Sequence, residues 1–425
     1  MVAGAGLAGG LIALAFAGKR PDLRVLLVDG ADHAGGNHVW SFFDSDVDTE
    51  GRALLAPLVA HRWPEGHEVR FPSCTRRLDT AYNSITSTRF DAYLREKLGD
   101  RLLLGQPVTA LDATGATVAD GTYIWAGAVI DARGFETPNF FARGTSSEMN
   151  GLTGCDLPEP GNQAPGCGES PASQGAGPFW GGDAPMVLDC GWQKFLGQTL
   201  RLTTPHALER PIIMDASVEQ VDGYRFVYVL PLGDREIFVE DTYYSDAPQF
   251  EATEIHRRIA LYAERQGWAV DAVVHEESGV LPVVKGGDFT RFWPPGDPLA
   301  RTGIRSGLFH AVTGYSLPMA VALATDLARG SHADGADLAR IIRNRAERHW
   351  RRQGFYRLLG RLLFDAASPP ERRRIFERFY RLPAPLIERF YAGDSTPADK
   401  IRILCGRPPV PIRAAMRAFW NHLRA

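Results

Sequence analysis

Two carboxylates stand next to each other in Val239-Glu240-Asp241-Thr242-Tyr243-Tyr244, at the end of a run of apolar and aromatic residues. Successive side chains of a strand point to opposite faces, so at most one of Glu240 and Asp241 faces a buried cavity. A carboxyl in apolar surroundings holds its proton toward neutrality and serves as a general acid, whereas a carboxylate at a wet strand end has no such role. On the residues alone the wet strand end is the better account. Nearby, Tyr224, Phe226, Tyr228, Trp268, Phe292 and Trp293 supply aromatic surface. Such residues ordinarily build a core, but lining a tunnel they would present π-faces able to stabilise a carbocation.

A different chemistry is written at the start of the chain. Val2-Ala3-Gly4-Ala5-Gly6-Leu7-Ala8-Gly9 precedes an apolar helical pattern, and Val25 to Val28 then leads to Asp29. This is the order of a dinucleotide cradle: Gly4 for the turn, Gly6 for close approach of a pyrophosphate, Gly9 for packing of helix on sheet, and Asp29 to accept from a ribose hydroxyl. Only Met1, Val2 and Ala3 precede Gly4, which predicts a first strand shorter than the usual five or so residues and a chain that begins late within it. Thr313-Gly314-Tyr315-Ser316, at the mouth of a long apolar helix, reads either as a second contact to flavin or phosphate oxygens or as a helix entry that needs a glycine.

The elements that must position these residues divide the chain. A parallel βαβ unit opens it, Gly35 to Ser41 forms a glycine-led loop, and a helix starts near Thr88 with Ser87 or Thr88 as its cap. Residues 101–118 alternate like paired strands, and Ala128 to Gly134 reads as a buried strand returning to the first sheet. Thr145 to Met186 carries nine Gly, six Pro and no Lys or Arg, the composition of a disordered insert. Strands at Thr199–Leu202, Ile212–Asp215, Tyr224–Pro231 and Glu236–Glu240 suggest an antiparallel sheet, followed by an amphipathic helix from Glu251 to Gly267. A strand, a turn and a helix are expected over Gly303 to Arg329, and helical pattern rich in Arg from Arg340 onward. The fold class is therefore α/β: a Rossmann-like nucleotide-binding domain (1–144, with a return segment at 301–335), an insert (145–186), an antiparallel-sheet substrate domain (187–300) and a basic helical region (336–425).

Bulk properties narrow the function. No apolar run reaches the roughly 18 residues of a membrane span, and the opening lacks the basic start of a signal peptide. Cys74, Cys155, Cys167, Cys190 and Cys405 show no metal-ligand spacing, so a reduced cytoplasmic protein with no metal site is expected. The net charge of −3 hides an asymmetry. From Arg340 to the end there are 20 Lys and Arg against 7 Asp and Glu, which suggests a surface that meets nucleic acid or lipid headgroups.

Taken together, these stretches resemble the bacterial lycopene β-cyclases of carotenoid biosynthesis. The resemblance is carried by the glycine cradle, Gly35-Gly36-Asn37-His38 through Trp40, Thr88-Arg89-Phe90-Asp91, Pro211 to Asp215, Gly223 to Tyr228, Val239 to Thr242, Gly279 to Pro282, Gly307 to His310, Thr313 to Pro318 and Arg378 to Pro383. It runs nearly end to end, the 145–186 insert excepted.

The resemblance implies an FAD-binding fold like those of glutathione reductase and p-hydroxybenzoate hydroxylase. It also implies a flavoprotein that works with FAD reduced, with NAD(P)H as the reductant, and cyclises lycopene through γ-carotene to β-carotene without net redox change. It places the acid/base on Glu240, with Asp241 beside it, and a substrate tunnel on Tyr224, Phe226, Tyr228 and Tyr244. Cofactor contacts fall on Val2 to Gly9, Asp29, Arg89, Thr313, Gly314 and Tyr315. The substrate lives in the bilayer, so the Arg-bearing helices around 343–363 and 372–390 are expected to dock peripherally on the inner face of the cell membrane, with no nucleic-acid partner. Two other functions share the cradle: an FAD-dependent monooxygenase or reductase of apolar or aromatic substrates that consumes NAD(P)H, and a flavin-binding scaffold without catalysis.

Overall fold

A computed structural model describes residues 1–134, 187–249, 251–330, 334–406 and 411–424. The Thr145–Met186 insert, with Cys155 and Cys167, lies outside the described residues. The chain is mixed α/β and is built on two principal sheets.

The first sheet is parallel. Its strands lie in the order Ala300–Arg301, Ile130–Asp131, Val2–Ala3, Leu27–Val28, Leu102–Leu103. Each of the five is two residues long, so the brevity expected of the first strand is shared by its neighbours. Strand order reverses on either side of Val2–Ala3, and the crevice at such a reversal is where α/β sheets bind ligands. The helix Leu7–Lys19 follows directly, is buried along Leu11 to Phe16, and packs against Leu317–Arg329.

The second sheet has seven strands, in the order Val270–Gly287, Leu188–Leu202, Glu236–Ser245, Tyr224–Gly233, Ile212–Asp215, His67–Phe71, Cys74–Leu78. All neighbours are antiparallel except Ile212–Asp215 and His67–Phe71. Its last two strands come from the segment assigned above to the nucleotide-binding domain, so the two parts interleave along the chain. The pleat sorts side chains between two cores. Tyr224, Phe226, Leu230, Phe238 and Tyr244 face the C-terminal helices, where Tyr356, Phe364, Phe376, Tyr380 and Phe390 meet them. Val227, Val229, Ile237, Val239 and Tyr243 face the amphipathic helix Ala252–Arg265 through Ile255, Ile259 and Tyr262.

Three local expectations are corrected. The cap of the helix Ser87–Leu98 is Thr86, whose Oγ1 accepts from the Arg89 N–H at 3.3 Å, one residue before the expected cap. Gly303–Ser306 is a 3₁₀ turn, and the strand is the shorter Ala300–Arg301 before it. Of the 101–118 segment, only Val108–Asp112 and Gly115–Val118 pair with each other, while Leu102–Leu103 joins the parallel sheet.

The basic C-terminal region is helical from Gly335–Arg352 to Ile412–Arg424, but much of its charge is structural. Arg372 is 1% exposed and donates to the carbonyls of Leu363 and Tyr244 and to Asp246. Arg361 donates to the Lys285 carbonyl at 3.0 Å, and Arg389 pairs with both oxygens of Asp399 at 2.7 Å. These arginines tie helices to the long sheet and to one another, and the buried Arg361 and Arg372 are not available to a headgroup.

Two glycines of the opening turn are required by close approach. Gly4 has φ +108°, and a Cβ there would lie 2.6 Å from the backbone of Ala132 and Arg133; a Cβ at Gly9 would lie 2.0 Å from the Gly4 carbonyl oxygen. Neither neighbour is a flexible side-chain end. Gly9→Val is expected to lower stability by about 3 kcal/mol, the upper end of what overpacking ordinarily costs, read as a fall in the denaturant midpoint; an unchanged midpoint would contradict this account of the turn.

Candidate functional site

The cradle borders a cavity of about 420 Å³ lined by Gly4, Gly6, Leu7, Asp29, Gly35, Gly36, His38, Trp40, Arg133 and neighbours. Gly6 is the N-cap of the Leu7–Lys19 helix, no side chain caps it, and nothing lies within 4 Å of where its Cβ would be. An open glycine at an uncapped helix N-terminus suits an anion held by backbone N–H groups. Asp29 lines the same cavity and organises it, its carboxylate accepting from the Ala5 N–H at 2.6 Å and the Ala31 N–H at 2.8 Å. The residues present therefore fit a dinucleotide, with Val2 and Ala3 buried beneath it in the strand and Ala8 in the first helical turn. Arg89 is placed elsewhere: it is exposed, and its Nε donates to the Pro57 carbonyl at 2.9 Å.

A second cavity, of about 200 Å³, lies on the face of the long sheet that meets the C-terminal helices. Phe226, Tyr228 and Tyr244 line it, as do Phe43, Tyr82 and Tyr391, and Glu240 is the one carboxyl on its wall. Asp241 points the other way, as the pleat requires. It is fully buried in the opposite core, with Arg225 Nε at 2.7 Å and the Tyr243 hydroxyl donating at 2.6 Å. The expectation that Asp241 shares the chemistry is therefore corrected. Tyr224 is corrected as well: it is stacked on Phe376 at 4.3 Å, behind the cavity wall. Trp268 packs on Tyr262 in the opposite core.

Glu240 stands on a particular rung of the sheet. Tyr228 is opposite it on one side and Gly197 on the other, and beyond Gly197 the next strand presents Glu277. Residues directly opposite share a face, so Glu240 and Glu277 lie on the same side, two strands and roughly 9.5 Å of backbone apart. Gly197 leaves no side chain between them, and a Cβ there would already crowd Phe238 at 2.4 Å and Glu240 at 3.2 Å. The two carboxyls meet over the glycine in a hydrogen bond. Burial first, then the charge of Glu277, hold the Glu240 carboxyl well above the usual carboxylate range, against a smaller opposing effect of the Thr242 hydroxyl, which donates at 2.6 Å. Glu277 is itself 2% exposed and accepts from the Val39 N–H at 2.7 Å, with His38 Nδ1 at 3.5 Å.

The strand Val39–Phe43 stands between the two cavities. His38 and Trp40 line the nucleotide cavity, while Val39, Ser41 and Phe43 line the acid cavity. Thr313 and Tyr315 are on the acid side, not the nucleotide side, and Gly314 has φ +67° with Leu281 against its Cβ position. The buried Tyr315 hydroxyl donates to Asp46 at 2.7 Å, and burial pushes the Asp46 carboxyl up to about 6. Glu277, Asp46 and Gln193, whose buried side-chain oxygen has no partner among the described residues, escaped the sequence reading. The Gly279–Pro282 stretch stood two residues from Glu277, but only the strand register could show which carboxyl faces Glu240.

A family model described as lycopene cyclase protein matches residues 1–417. A lycopene beta-cyclase of Pseudescherichia vulneris is 41% identical over 99% of this chain and 97% of its own, and one of Pantoea ananas is 40% identical over the same shares. Among solved structures, a geranylgeranyl bacteriochlorophyll reductase-like protein from Thermoplasma acidophilum aligns with TM-score 0.56 at 13% identity, covering 99% of this chain and 98% of that one. A flavin-dependent brominase aligns with TM-score 0.56 at 12% identity, covering 100% and 98%. At such identities these two likenesses show the fold alone.

The opposite surroundings of the adjacent carboxyls separate their variants. Asp241→Asn unpairs the buried Arg225 and is expected to cost about 3 kcal/mol of stability, seen as a lower denaturant midpoint, while Glu240→Gln, which removes no ion pair, leaves the midpoint at or above that of the parent. Equal losses in the two variants would refute the assignment of the pair to opposite faces.

Proposed function

Because this chain belongs to the lycopene cyclase family, we propose that it is a lycopene β-cyclase, closing the ψ-ends of lycopene through γ-carotene to β-carotene by general acid/base catalysis. The observation that carries this reading is the single raised carboxyl, Glu240, in a chamber lined mainly by aromatic and apolar residues. Protonated Glu240 gives its proton to the terminal double bond of the ψ-end, leaving a tertiary cation. The neighbouring double bond attacks that cation, one carbon–carbon bond forms, and the ring carries the positive charge. Loss of a ring proton to the carboxylate restores both the double bond and the acid. No atom or electron is gained or lost, which makes the reaction an isomerisation by intramolecular addition.

Several groups in and beside the chamber have a task in that sequence. Tyr228, Phe226 and Tyr244 offer π-faces to the developing cation and exclude water that would trap it. The charge of Glu277 beside Glu240 helps keep the Glu240 proton in place until the substrate takes it. Gly4 and Gly6 with Asp29 would hold the pyrophosphate and ribose of FAD in the neighbouring cavity, on a turn that Gly9 lets pack closely. Bound there and reduced, the flavin would supply negative charge near the site where the cation develops. NAD(P)H is the proposed reductant, consumed only to prime the cofactor.

The raised carboxyl sets the pH dependence. A carboxyl whose pKa is raised keeps its proton to higher pH than a free Glu and loses it as pH rises through that raised value, so kcat/KM should fall on the alkaline side. Glu240→Gln should retain bound flavin and lose cyclisation at least a hundredfold. Glu277→Gln, by removing the like charge, should move the alkaline limb to lower pH. Pigment analysis in a lycopene-accumulating host and a pH profile of purified protein check both, and unchanged β-carotene from Glu240→Gln would overturn the role of that residue.

We also propose peripheral docking on the cytoplasmic face of the membrane. No helix among the described residues is long and apolar enough to cross a membrane. Support for surface docking comes from the last two helices, where Ile401, Leu404, Met416 and Trp420 are exposed apolar residues beside exposed Arg402, Arg413 and Arg417. Apolar side chains flanked by arginine suit the headgroup boundary of anionic lipid. The protein is expected to float with anionic liposomes at low salt and Trp420→Ser with Met416→Ser to reduce the floated fraction severalfold; parent protein left at the bottom of the gradient would remove this proposal.

A further inference from the structure

The C-terminal helices enclose more than a core. Between Gly354–Asp365, Arg372–Phe379, Ala384–Tyr391, Pro397–Leu404 and Ile412–Arg424 lies a cavity of about 550 Å³. Its wall is made mostly of aliphatic and aromatic side chains, Tyr391 and Trp420 among them, with one cation, Arg378, whose guanidinium is held by the Cys405 carbonyl. At its outer end Leu404, Met416 and Trp420 are between 44% and 67% exposed. Arg378 and Tyr391 are already engaged, the latter with the Tyr380 hydroxyl, and the rest of the wall is predominantly apolar.

The acid chamber is too small for its substrate. An apolar cavity of roughly 150 Å³ takes a molecule the size of benzene, so the chamber of about 200 Å³ holds about one ring-forming end group. A linear tetraterpene therefore keeps most of its length outside the chamber. The larger cavity adjoins it at three places. Tyr391 lines both, Val312 of the helical cavity is followed in sequence by Thr313 of the chamber, and Phe376 of the one packs on Tyr244 of the other at 5.3 Å.

We infer that the helical cavity is the binding site for the distal polyene, so that the substrate lies across Tyr391 with one end at Glu240 and the rest among the C-terminal helices. The inference rests on the cyclase reading of the Glu240 chamber and extends it to substrate length. An acyl lipid would fill the helical cavity but brings no ring-forming end group to the chamber that adjoins it. The far end of the same site must also accept a closed ring if γ-carotene is to enter the other way round for the second cyclisation. The width of the helical cavity thereby governs whether one ring or two is made.

The test separates substrate length from chemistry. Leu362 is a half-buried lining residue, so Leu362→Trp fills the cavity without entering the chamber; Ile403→Trp, from a different helix, does the same should the first variant fold poorly. Lycopene affinity is measured in mixed micelles from the shift of polyene absorbance, using full-length Glu240→Gln holoprotein with and without the filling substitution. At least a tenfold weakening is expected, and unchanged affinity would overturn the inference. A co-purified lipid that lycopene fails to displace would overturn it too. If Glu240→Gln still cyclises, the acid assignment fails while the affinity comparison continues to decide the polyene site. In the background with Glu240 intact, the filling substitution should raise the ratio of monocyclic to bicyclic product severalfold.

Discussion

Two carboxyls meeting over a glycine are the constraint around which this protein is organised. Glu240 and Glu277 are two strands apart on one rung of the long sheet, and only the missing side chain of Gly197 lets them touch. Buried like charges at such separation cannot both be ionised, so the pair retains a proton. That retention keeps a protonated carboxyl on the chamber wall at a pH where a free Glu would be ionised. It needs an unbroken register across three strands, since a slip of one residue would send Glu240 to the opposite core and bring Asp241 to the chamber.

The same pair connects the two cavities. Glu277 accepts from the backbone of Val39, and Val39–Phe43 is the strand with His38 and Trp40 toward the nucleotide and Val39, Ser41 and Phe43 toward the acid. A cofactor in the first cavity and a substrate in the second would be separated by one thickness of backbone. Charge in the cradle can act on the chamber at that distance without a direct contact, because buried material screens less than water.

The C-terminal region illustrates how composition misleads about role. Its arginines look like a headgroup-binding surface, yet Arg372, Arg361 and Arg389 are spent on carbonyls and carboxylates within the fold. What they hold in place is a set of helices whose inner faces close the acid chamber and enclose the large apolar cavity. Exposed arginines occur along the whole region, at Arg348, Arg352, Arg374 and Arg381 among others, but those of the last two helices, Arg402, Arg413 and Arg417, stand beside exposed apolar side chains. Packing against the long sheet, rather than charge count, distributes the region between structure and surface.

The amino-acid sequence by itself determined the local features. The glycine cradle was legible because turn geometry and helix packing admit only glycine at Gly4 and Gly9, and the alternation of apolar residues assigned the strands at Tyr224 and Glu236. It also established that Glu240 and Asp241 must face opposite ways, since that follows from the pleat alone. It could not say which of them faces the chamber, nor that Tyr224 and Arg89 lie away from the sites expected for them. Nor could it bring Gly197, Glu277 and Glu240 onto one rung, or show that His67–Phe71 and Cys74–Leu78 belong to the second sheet. Those outcomes depend on strand register and on which core each face meets, and both are decided by pairing between segments tens to hundreds of residues apart. The tertiary structure alone therefore gave Glu240, whose neighbours in sequence looked like a solvated strand end, a carboxyl partner that its own segment did not contain.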